Sequence, residues 1–169
     1  MPFAESISAS FLVNTLKDCG VHDVVIVPDT HQSTVIEYLK VHEDIRLIQS
    51  STEDEALAIC AGLIIGGRRP VLQIQHAGLF ACANNLRGVA IDGQVPIVLL
   101  VGLLGRDVNK LPRDNFGSMV RYTEPILEAL EIPFFNLERK KDIGMISKAF
   151  DEAERRQGPV AVLVGEETS

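Results

Sequence analysis

The chain has 169 residues, of which 46% are hydrophobic and only 5% aromatic, and its formal net charge is −7. We predict one domain over residues 1–169, because this length suits a single well-filled core, and the acidic balance argues against a nucleic-acid partner. No apolar run reaches the roughly 18 residues of a membrane-spanning helix, and the N-terminus is unlike a signal peptide. Three scattered cysteines, Cys19, Cys60 and Cys82, are typical of reduced, buried thiols, so we expect a cytoplasmic protein without membrane association.

Helical and strand patterns alternate along the chain. The first helix is predicted from Ser6 to Cys19, where Gly20 is a favoured C-terminal cap. Short hydrophobic runs predict six strands, at 24–27, 46–49, 71–75, 97–101, 134–137 and 159–164. Further helices are predicted at 35–41, 53–65, 79–90 and 118–130, with a last one capped by Asp142. The run 97–101 is the most hydrophobic and should be central, so the pattern predicts an α/β fold with a doubly wound, mostly parallel six-stranded sheet and helices on both faces.

Ligands of such sheets gather at the carboxyl ends of the strands. Four loops lie there, at 28–31, 50–53, 75–79 and 102–106, and they carry most of the chemically useful side chains. These side chains are Asp29, Thr30, His31, Glu53, Asp54, Glu55, Gln75, His76 and Arg106.

Each of these side chains also has a purely structural interpretation. Acids in a first helical turn offset the helix dipole, an Asp or Thr before a helix is commonly an N-cap, and a histidine at a strand end is commonly structural. Two histidines and an acid at neighbouring strand ends make a functional site an equal alternative. The loop 105–115, which holds Arg106, can be a solvated flap or a lid with anion-binding groups.

Three segments resemble the pyrimidine-binding domain of thiamine-diphosphate-dependent 2-oxo acid decarboxylases. Residues 27–30, Val-Pro-Asp-Thr, are similar to the loop after the family's first strand, and Glu53 with Gly62 nine residues later resembles its glutamate helix. Residues 75–79, Gln-His-Ala-Gly-Leu, resemble Gln-Asn-Ser-Gly-Leu of sulfopyruvate decarboxylases, the most similar members, with phosphonopyruvate decarboxylases next. His76 departs from that pattern, whereas the more distant benzoylformate decarboxylase has a catalytic histidine in the corresponding segment, so another 2-oxo acid stays an alternative.

The resemblance implies thiamine diphosphate as cofactor and a carbon–carbon lyase reaction. The first candidate is conversion of 3-sulfopyruvate to sulfoacetaldehyde and carbon dioxide, and phosphonopyruvate or another 2-oxo acid is the alternative substrate. Glu53 would hydrogen-bond N1′ of the aminopyrimidine, and His31 and His76 would be the candidate proton donors. Substrate contacts are expected from Thr30, Gln75 and Arg106. Cofactor contacts are expected from Pro28, Asp29, Thr30, Glu53, Gln75, Gly78 and Leu79.

The segments that hold the diphosphate and magnesium in this family do not occur in order here. Asp92-Gly93 lacks the preceding glycine of Gly-Asp-Gly, and Asn84-Asn85 comes before it instead of after. We therefore predict no metal site on this chain and expect a separate beta chain to hold the diphosphate-binding domain and Mg²⁺, in an alpha2beta2 or larger assembly. The helix at 79–90 is the expected contact.

Two alternatives to a decarboxylase subunit stay open. One is a non-catalytic interaction protein that keeps the pyrimidine-domain fold. The other is a stand-alone nucleotide or small-anion binder, but no GxGxxG or GxxxxGK[ST] motif follows a strand.

Overall fold

The computed structural model describes residues 6–42 and 44–169. Its centre is a six-stranded sheet in the order β2-β1-β3-β4-β6-β5, and all five strand pairings are parallel. The strands are β1 Asp23–Ile26, β2 Arg46–Gln49, β3 Pro70–Gln75, β4 Val98–Gly102, β5 Phe134–Leu137 and β6 Val160–Val164. The predicted fold class is confirmed, and the most hydrophobic strand, β4, lies inside the sheet between β3 and β6.

Helices cover both faces of this sheet. They are α1 Ala9–Asp18, α2 Ser33–Val41, α3 Glu53–Ile65, α4 His76–Ala81, α5 Ala83–Asn85, α6 Ser118–Ala129 and α7 Met145–Arg156. Alternate strand residues point to opposite faces, so Val98 and Leu100 pack with α1, α2 and α7, whereas Leu99 and Val101 pack with α3, α4 and α6. Because helices cover both faces of the sheet, the central strands are unbroken apolar runs in the sequence.

Two predicted helices differ from the structure. The helix expected at 79–90 begins earlier, at His76, and divides into α4, α5 and a π-helical segment, Leu86–Ile91. Gly78, Asn84, Asn85 and Gly88 have low helix propensity and offset its alanines, so packing decides its course.

Asp142 does not cap the last helix. It ends a short 3-10 turn, Lys140–Asp142, where its Oδ2 accepts the Arg139 backbone N–H at 3.0 Å, and α7 starts after Gly144. The Asp142 carboxylate bonds to the Arg139 N–H, which lies three residues earlier in the chain, and not to the first N–H groups of α7.

The chain order places two loops together at one edge of the sheet. From β1 the chain crosses to β2 on one side and then returns to β3 on the other, so the topological switch point lies between β1 and β3. The residues that follow these two strands, 27–32 and 76–79, are therefore where a ligand is expected. No helix in the described part of the chain is long and apolar enough to cross a membrane.

Candidate functional site

The acidic cluster at the start of α3 divides into different roles. The Glu55 carboxylate accepts the Ser50 hydroxyl at 2.7 Å and the Ser51 backbone N–H at 2.9 Å, and these hydrogen bonds lower the pKa of Glu55. Asp54 is exposed. The structural interpretation therefore fits Glu55, which ties the preceding loop to the helix, but it does not account for Glu53.

The Glu53 side chain is partly buried and lies against Gly78 in the first turn of α4. A Cβ atom on Gly78 would stand 2.6 Å from Glu53 Oε1, far inside van der Waals contact. The neighbouring Cys82 thiol also senses this carboxylate: burial, followed by the charge of Glu53, raises the pKa of Cys82 to about 12. The lack of a side chain at residue 78 thus allows Glu53 to lie over the helix that follows β3.

Two buried histidines lie beside this helix start. The His31 Nε2 is 2.9 Å from the Val164 carbonyl, and the His76 Nε2 is 3.0 Å from the Leu104 carbonyl. A carbonyl can only accept a hydrogen bond, so each Nε2 carries the hydrogen in the neutral ring and each Nδ1 presents a lone pair. Both Nδ1 atoms are buried and have no hydrogen-bond partner among residues 6–42 and 44–169.

The same environment lowers the basicity of both rings. Burial is the main cause that lowers the pKa of His31 and of His76, whereas the backbone hydrogen bonds and the Asp29 carboxylate act in the opposite direction. Because Asp29 acts on both rings, it is the shared counter-charge of this pair. Two neutral imidazoles with free ring nitrogens can accept a proton and return it to a bound molecule.

The loop after β1 places Asp29 in this group but leaves its neighbours outside. Asp29 Oδ1 accepts the Gln32 backbone N–H at 3.0 Å, and its Oδ2 is buried without a partner. Pro28 and Thr30 are exposed at the tip of the loop. The hydrogen bond from the Gln32 N–H therefore uses only one of the two carboxylate oxygens of Asp29.

The residues after β3 are arranged around the start of α4. Gln75 is partly buried at the N-cap position but makes no capping hydrogen bond through its side chain, and Leu79 is fully buried in the core. Gln75 therefore keeps its amide free at the edge of the sheet. Leu79 fixes the helix that carries Gly78.

Arg106 is held by protein groups instead of standing free. Its side chain is 3% exposed, pairs with Glu138, and donates to the Lys110 carbonyl at 2.8 Å. The pairing anchors the loop 105–115, and the Nε atom is buried without a partner. Arg106 and His31 line a shared cleft of about 210 Å³, together with Gly105, Gly165, Glu166 and Glu167.

Gln32 and Gln73, two fully buried side chains near Asp29, were missed by the sequence analysis. Gln32 lies between β1 and β3 at the switch point, and Gln73 lies in the middle of β3. The available signal was an amide at residue 73 between Leu72 and Ile74, within an otherwise apolar strand. Among residues 6–42 and 44–169, no cluster of three or more His, Cys, Asp or Glu side chains could hold a metal ion.

Comparison with known proteins shows which family the chain belongs to. The model of the thiamine pyrophosphate enzyme N-terminal TPP binding domain matches residues 8–125, which is more than half of the chain. The chain belongs to this family. The matched residues of this TPP binding domain include Asp29, His31, Glu53, His76 and Gly78.

Curated relatives of this TPP binding domain carry one name. Sulfopyruvate decarboxylase subunit alpha of Methanococcus maripaludis is 29% identical over 148 residues, or 87% of each chain. The subunit of the same name from Methanothermobacter thermautotrophicus is 28% identical and covers 88% of this chain and 90% of its own. That of Methanocaldococcus jannaschii is 24% identical, over 90% and 89%.

Solved structures share the fold at lower identity. A benzoylformate decarboxylase from Polynucleobacter necessarius superposes with a TM-score of 0.74 at 17% identity. A 2-oxoglutarate:ferredoxin oxidoreductase from Magnetococcus marinus superposes with a TM-score of 0.72 at 19% identity. Each match covers 98% of this chain but only 31% and 30% of the other chain, respectively, so this TPP binding domain spans about a third of either protein.

The residues present fit the pyrimidine half of the cofactor. Glu53 offers a partly buried carboxylate, and Gly78 leaves the room that the Glu53 side chain occupies over the start of α4. The unpartnered atoms of Asp29, His31 and His76 then provide buried polar contacts at the same edge of the sheet. A ligand with ring nitrogens and an amino group can satisfy such acceptors.

Proposed function

We propose that this chain is the alpha subunit of a thiamine-diphosphate-dependent decarboxylase that converts 3-sulfopyruvate to sulfoacetaldehyde and carbon dioxide. The observation that carries the proposal is the contact of Glu53 with Gly78 at the switch point, beside two buried histidines with free ring nitrogens. The names of the three curated relatives support this substrate. Phosphonopyruvate or another 2-oxo acid is the alternative substrate.

Glu53 holds and shares a proton in this proposal. Thiamine diphosphate, when bound, supplies the electron sink for carbon–carbon bond cleavage, while the protein supplies orientation and electrostatics. The Glu53 carboxylate would bind N1′ of the aminopyrimidine and share a proton with it. Gly78 lets the Glu53 side chain occupy this position, because a Cβ there would collide with it.

The two histidines take up and deliver the proton that the product requires. Loss of carbon dioxide leaves an electron pair on carbon, and one proton must reach that carbon before the aldehyde is released. His31 and His76 are the buried bases that take up a proton and deliver it through Nδ1, while each Nε2 stays bonded to a backbone carbonyl. Asp29 stabilises the protonated ring.

Substrate orientation falls to the side chains around this group. Gln75 has a free amide at the edge of the sheet, and Thr30 presents its hydroxyl at the tip of the loop after β1. Arg106 keeps one buried N–H without a partner beside the His31 cleft, where it would act on an anionic end of the substrate. Pro28 is exposed in the same loop, and Leu79 acts indirectly, since it is buried in the core and supports the helix that carries Gly78.

A partner subunit completes the site. The relatives are named as subunits, which supports a partner for this chain, and we propose that a beta chain holds the diphosphate and Mg²⁺ in an alpha2beta2 or larger assembly. Large exposed apolar side chains are concentrated between β4 and the first turns of α6, where Phe116 is fully exposed. The other members of this surface are Leu104, Leu111, Met119 and Tyr122. We propose that the surface 104–122 contacts the partner, in addition to the segment 79–90.

The test is carbon dioxide release by this chain assembled with its partner subunit, thiamine diphosphate and magnesium. Sulfopyruvate, phosphonopyruvate and an aromatic 2-oxo acid are compared for the wild-type chain, Glu53→Gln and the matched control Glu55→Gln. We expect activity on sulfopyruvate that falls about a hundredfold or more in Glu53→Gln, because the proton on N1′ is then no longer held by a carboxylate. Glu55→Gln keeps its activity, since an amide oxygen can still accept from Ser50 and Ser51.

Two results would contradict the proposal. An assembled complex that binds thiamine diphosphate but releases no carbon dioxide from any of the three acids would exclude these substrates. Equal activity of Glu53→Gln and wild type would exclude the role of Glu53.

A further inference from the structure

Two buried glutamines form a hydrogen-bonded chain that ends at Asp29. The Gln73 Nε2 lies 3.5 Å from the Gln32 backbone carbonyl, and the Gln32 backbone N–H donates to Asp29 Oδ1 at 3.0 Å. The Gln32 side-chain Nε2 donates to the Ile74 carbonyl at 3.3 Å. The loop after β1 is thereby joined to β3 through both glutamines.

The position of these bonds follows from where β1 ends. Pro28 breaks the strand, so Ile74 lies beyond the last residue pair that β1 forms with β3, Ile26 with Gln73. The Gln32 amide reaches this carbonyl from the start of α2. Gly102 at the end of β4 makes room for it, since a Cβ there would lie 3.1 Å from Gln32 Nε2.

The cost of burying these amides argues that they do more than fill space. Both side chains are fully buried, and both Oε1 atoms lack a partner. A buried, unpaired polar atom destabilises the folded state, and leucine or methionine at the same position would avoid this cost. Because each amide nitrogen faces a carbonyl, neither amide can be turned around to satisfy its oxygen.

The two amide oxygens extend a group of buried acceptors. Asp29 Oδ2, His31 Nδ1 and His76 Nδ1 are likewise buried without partners. We propose that Gln32 and Gln73 are positioning residues, which hold the Asp29 carboxylate with one oxygen bonded and the other free to act on His31 and His76. This inference rests on the proposed function, and it assigns to the two amides a role in the proton step of the same site.

The protonation of His31 and His76 depends on the charged and titratable groups around them. Asp29 and Glu167 favour the protonated form of His31, whereas His76 disfavours it, and Asp29 favours the protonated form of His76. Arg106 and Glu166 line the cleft beside His31. Of these groups, only Asp29 is bonded to the glutamine chain.

The test replaces Gln73 by methionine, which keeps the length of the side chain but removes its amide. Gln49→Met is the matched control, because Gln49 and Gln73 both pair with Ile26 across the sheet but Gln49 is exposed on the edge strand β2. Both variants are assembled with the partner subunit, and kcat and KM for sulfopyruvate are measured from pH 5 to 9.

We expect kcat of Gln73→Met to fall about tenfold or more with a smaller change in KM, because Asp29 is no longer held in place. A protonated histidine is needed as donor, so activity falls as pH rises through its pKa. Asp29 raises that pKa; when its position is lost, the falling limb of the kcat profile moves to lower pH, by about half a unit or more. Gln49→Met keeps the wild-type profile.

A second measurement does not depend on turnover. The chain has only four histidines, so isotope labelling of its histidines allows their titration to be followed by NMR in the assembled complex. We expect the His31 and His76 titrations to move to lower pH in Gln73→Met and to stay in place in Gln49→Met. If Gln73→Met fails to fold, Gln32→Met is measured instead. It keeps the backbone N–H that bonds Asp29 but removes the side-chain bond to the Ile74 carbonyl that holds this backbone against β3, so the same directions are expected.

The outcomes separate this inference from the proposed function. A wild-type complex without decarboxylase activity contradicts the proposed function. An active wild-type complex whose Gln73→Met variant keeps the wild-type pH profile and histidine titrations contradicts the positioning role. A variant with lower thermal stability but unchanged pH profile and titrations would also contradict the positioning role, because a purely structural amide would affect only stability.

Discussion

At the scale of single residues, the candidate site depends on a side chain that is missing. Gly78 allows the Glu53 carboxylate to lie over the start of α4, where a Cβ atom would stand 2.6 Å from Glu53 Oε1. The atom that would be displaced belongs to a flexible side chain and not to the backbone. A larger residue at 78 should therefore be compatible with folding and incompatible with the position of Glu53.

We predict that Gly78→Ala folds but loses about tenfold or more in decarboxylase activity, because the displaced carboxylate no longer meets the aminopyrimidine in the right geometry. Gly144→Ala is the matched control, since nothing lies within 4 Å of a Cβ at that position. The measurement is the thiamine diphosphate concentration that half-activates the assembled complex, together with kcat. Equal values for the two variants would show that Glu53 does not need its observed position.

At the scale of secondary-structure elements, one buried carboxylate joins three segments at the amino-terminal edge of the sheet, opposite the candidate site. Asp23 in β1 is fully buried and pairs with Arg46 of β2 at 2.6 Å and with Arg68 before β3 at 2.5 Å. Burial by itself would raise the pKa of Asp23, but the hydrogen bonds and charges of Arg68 and Arg46 outweigh it and lower that pKa below its usual value.

A lowered pKa in the folded state stabilises the protein above the unfolded-state pKa of about 4, and that contribution is lost as pH falls through the folded-state value. We predict that Asp23→Asn lowers the free energy of unfolding at pH 7 by about 2 kcal/mol, because both arginines lose their charged partner. Its unfolding free energy also changes less than that of wild type below about pH 4.

Denaturant unfolding of the chain between pH 2.5 and 7 is the measurement. Asp44→Asn serves as the control, since Asp44 pairs with Lys17 at the exposed surface and such pairs contribute little. The prediction fails if Asp23→Asn and Asp44→Asn have the same pH dependence.

At the scale of the whole molecule, the surface 104–122 exposes several large apolar side chains on a backbone that is held by hydrogen bonds. Asn115 accepts the Asp107 backbone N–H at 2.7 Å and donates to the Leu111 carbonyl at 2.9 Å, and Arg121 donates to the Phe116 carbonyl at 2.7 Å. The His76 Nε2 bonds to the Leu104 carbonyl, so this surface is joined to the candidate site. A held apolar surface of this kind is typical of a protein–protein contact.

We predict that Phe116→Ser weakens assembly with the partner subunit about tenfold or more, because a fully exposed aromatic side chain is a typical binding hot spot. Val41→Ser is the matched control: Val41 is 75% exposed but ends α2, outside this surface. Analytical ultracentrifugation of each variant with the partner measures the effect. Unchanged assembly of Phe116→Ser would exclude the surface 104–122 as the contact.

Much of the fold was predictable from the sequence, because the buried strands are recognisable as continuous runs of apolar residues. The apolar runs of β4 and β6 require cover on both faces, and alternation with helices then favours a parallel, doubly wound sheet. The segment 79–90 was less predictable, because Asn84, Asn85 and Gly88 weaken its helix propensity and packing divides it.

The candidate site was predictable only as a set of loops. The carboxyl ends of the strands identified Asp29, His31, Glu53 and His76, and the family resemblance suggested their roles, which stay predictions. Sequence position could not show that Arg106 pairs with Glu138, because 32 residues separate them. Nor could it find the link between Gln32 and Gln73, which are 41 residues apart.

The sequence by itself therefore determined the parallel α/β fold and the edge of the sheet where a ligand is expected, since both follow from local hydrophobic patterns and from chain order. Only the tertiary structure decided which acid of the cluster faces Gly78 and which one bonds to the loop before α3. It also decided which polar atoms are left buried without partners. The physical reason is that hydrogen bonds and steric room depend on distances between residues far apart in the chain, and only folding sets those distances.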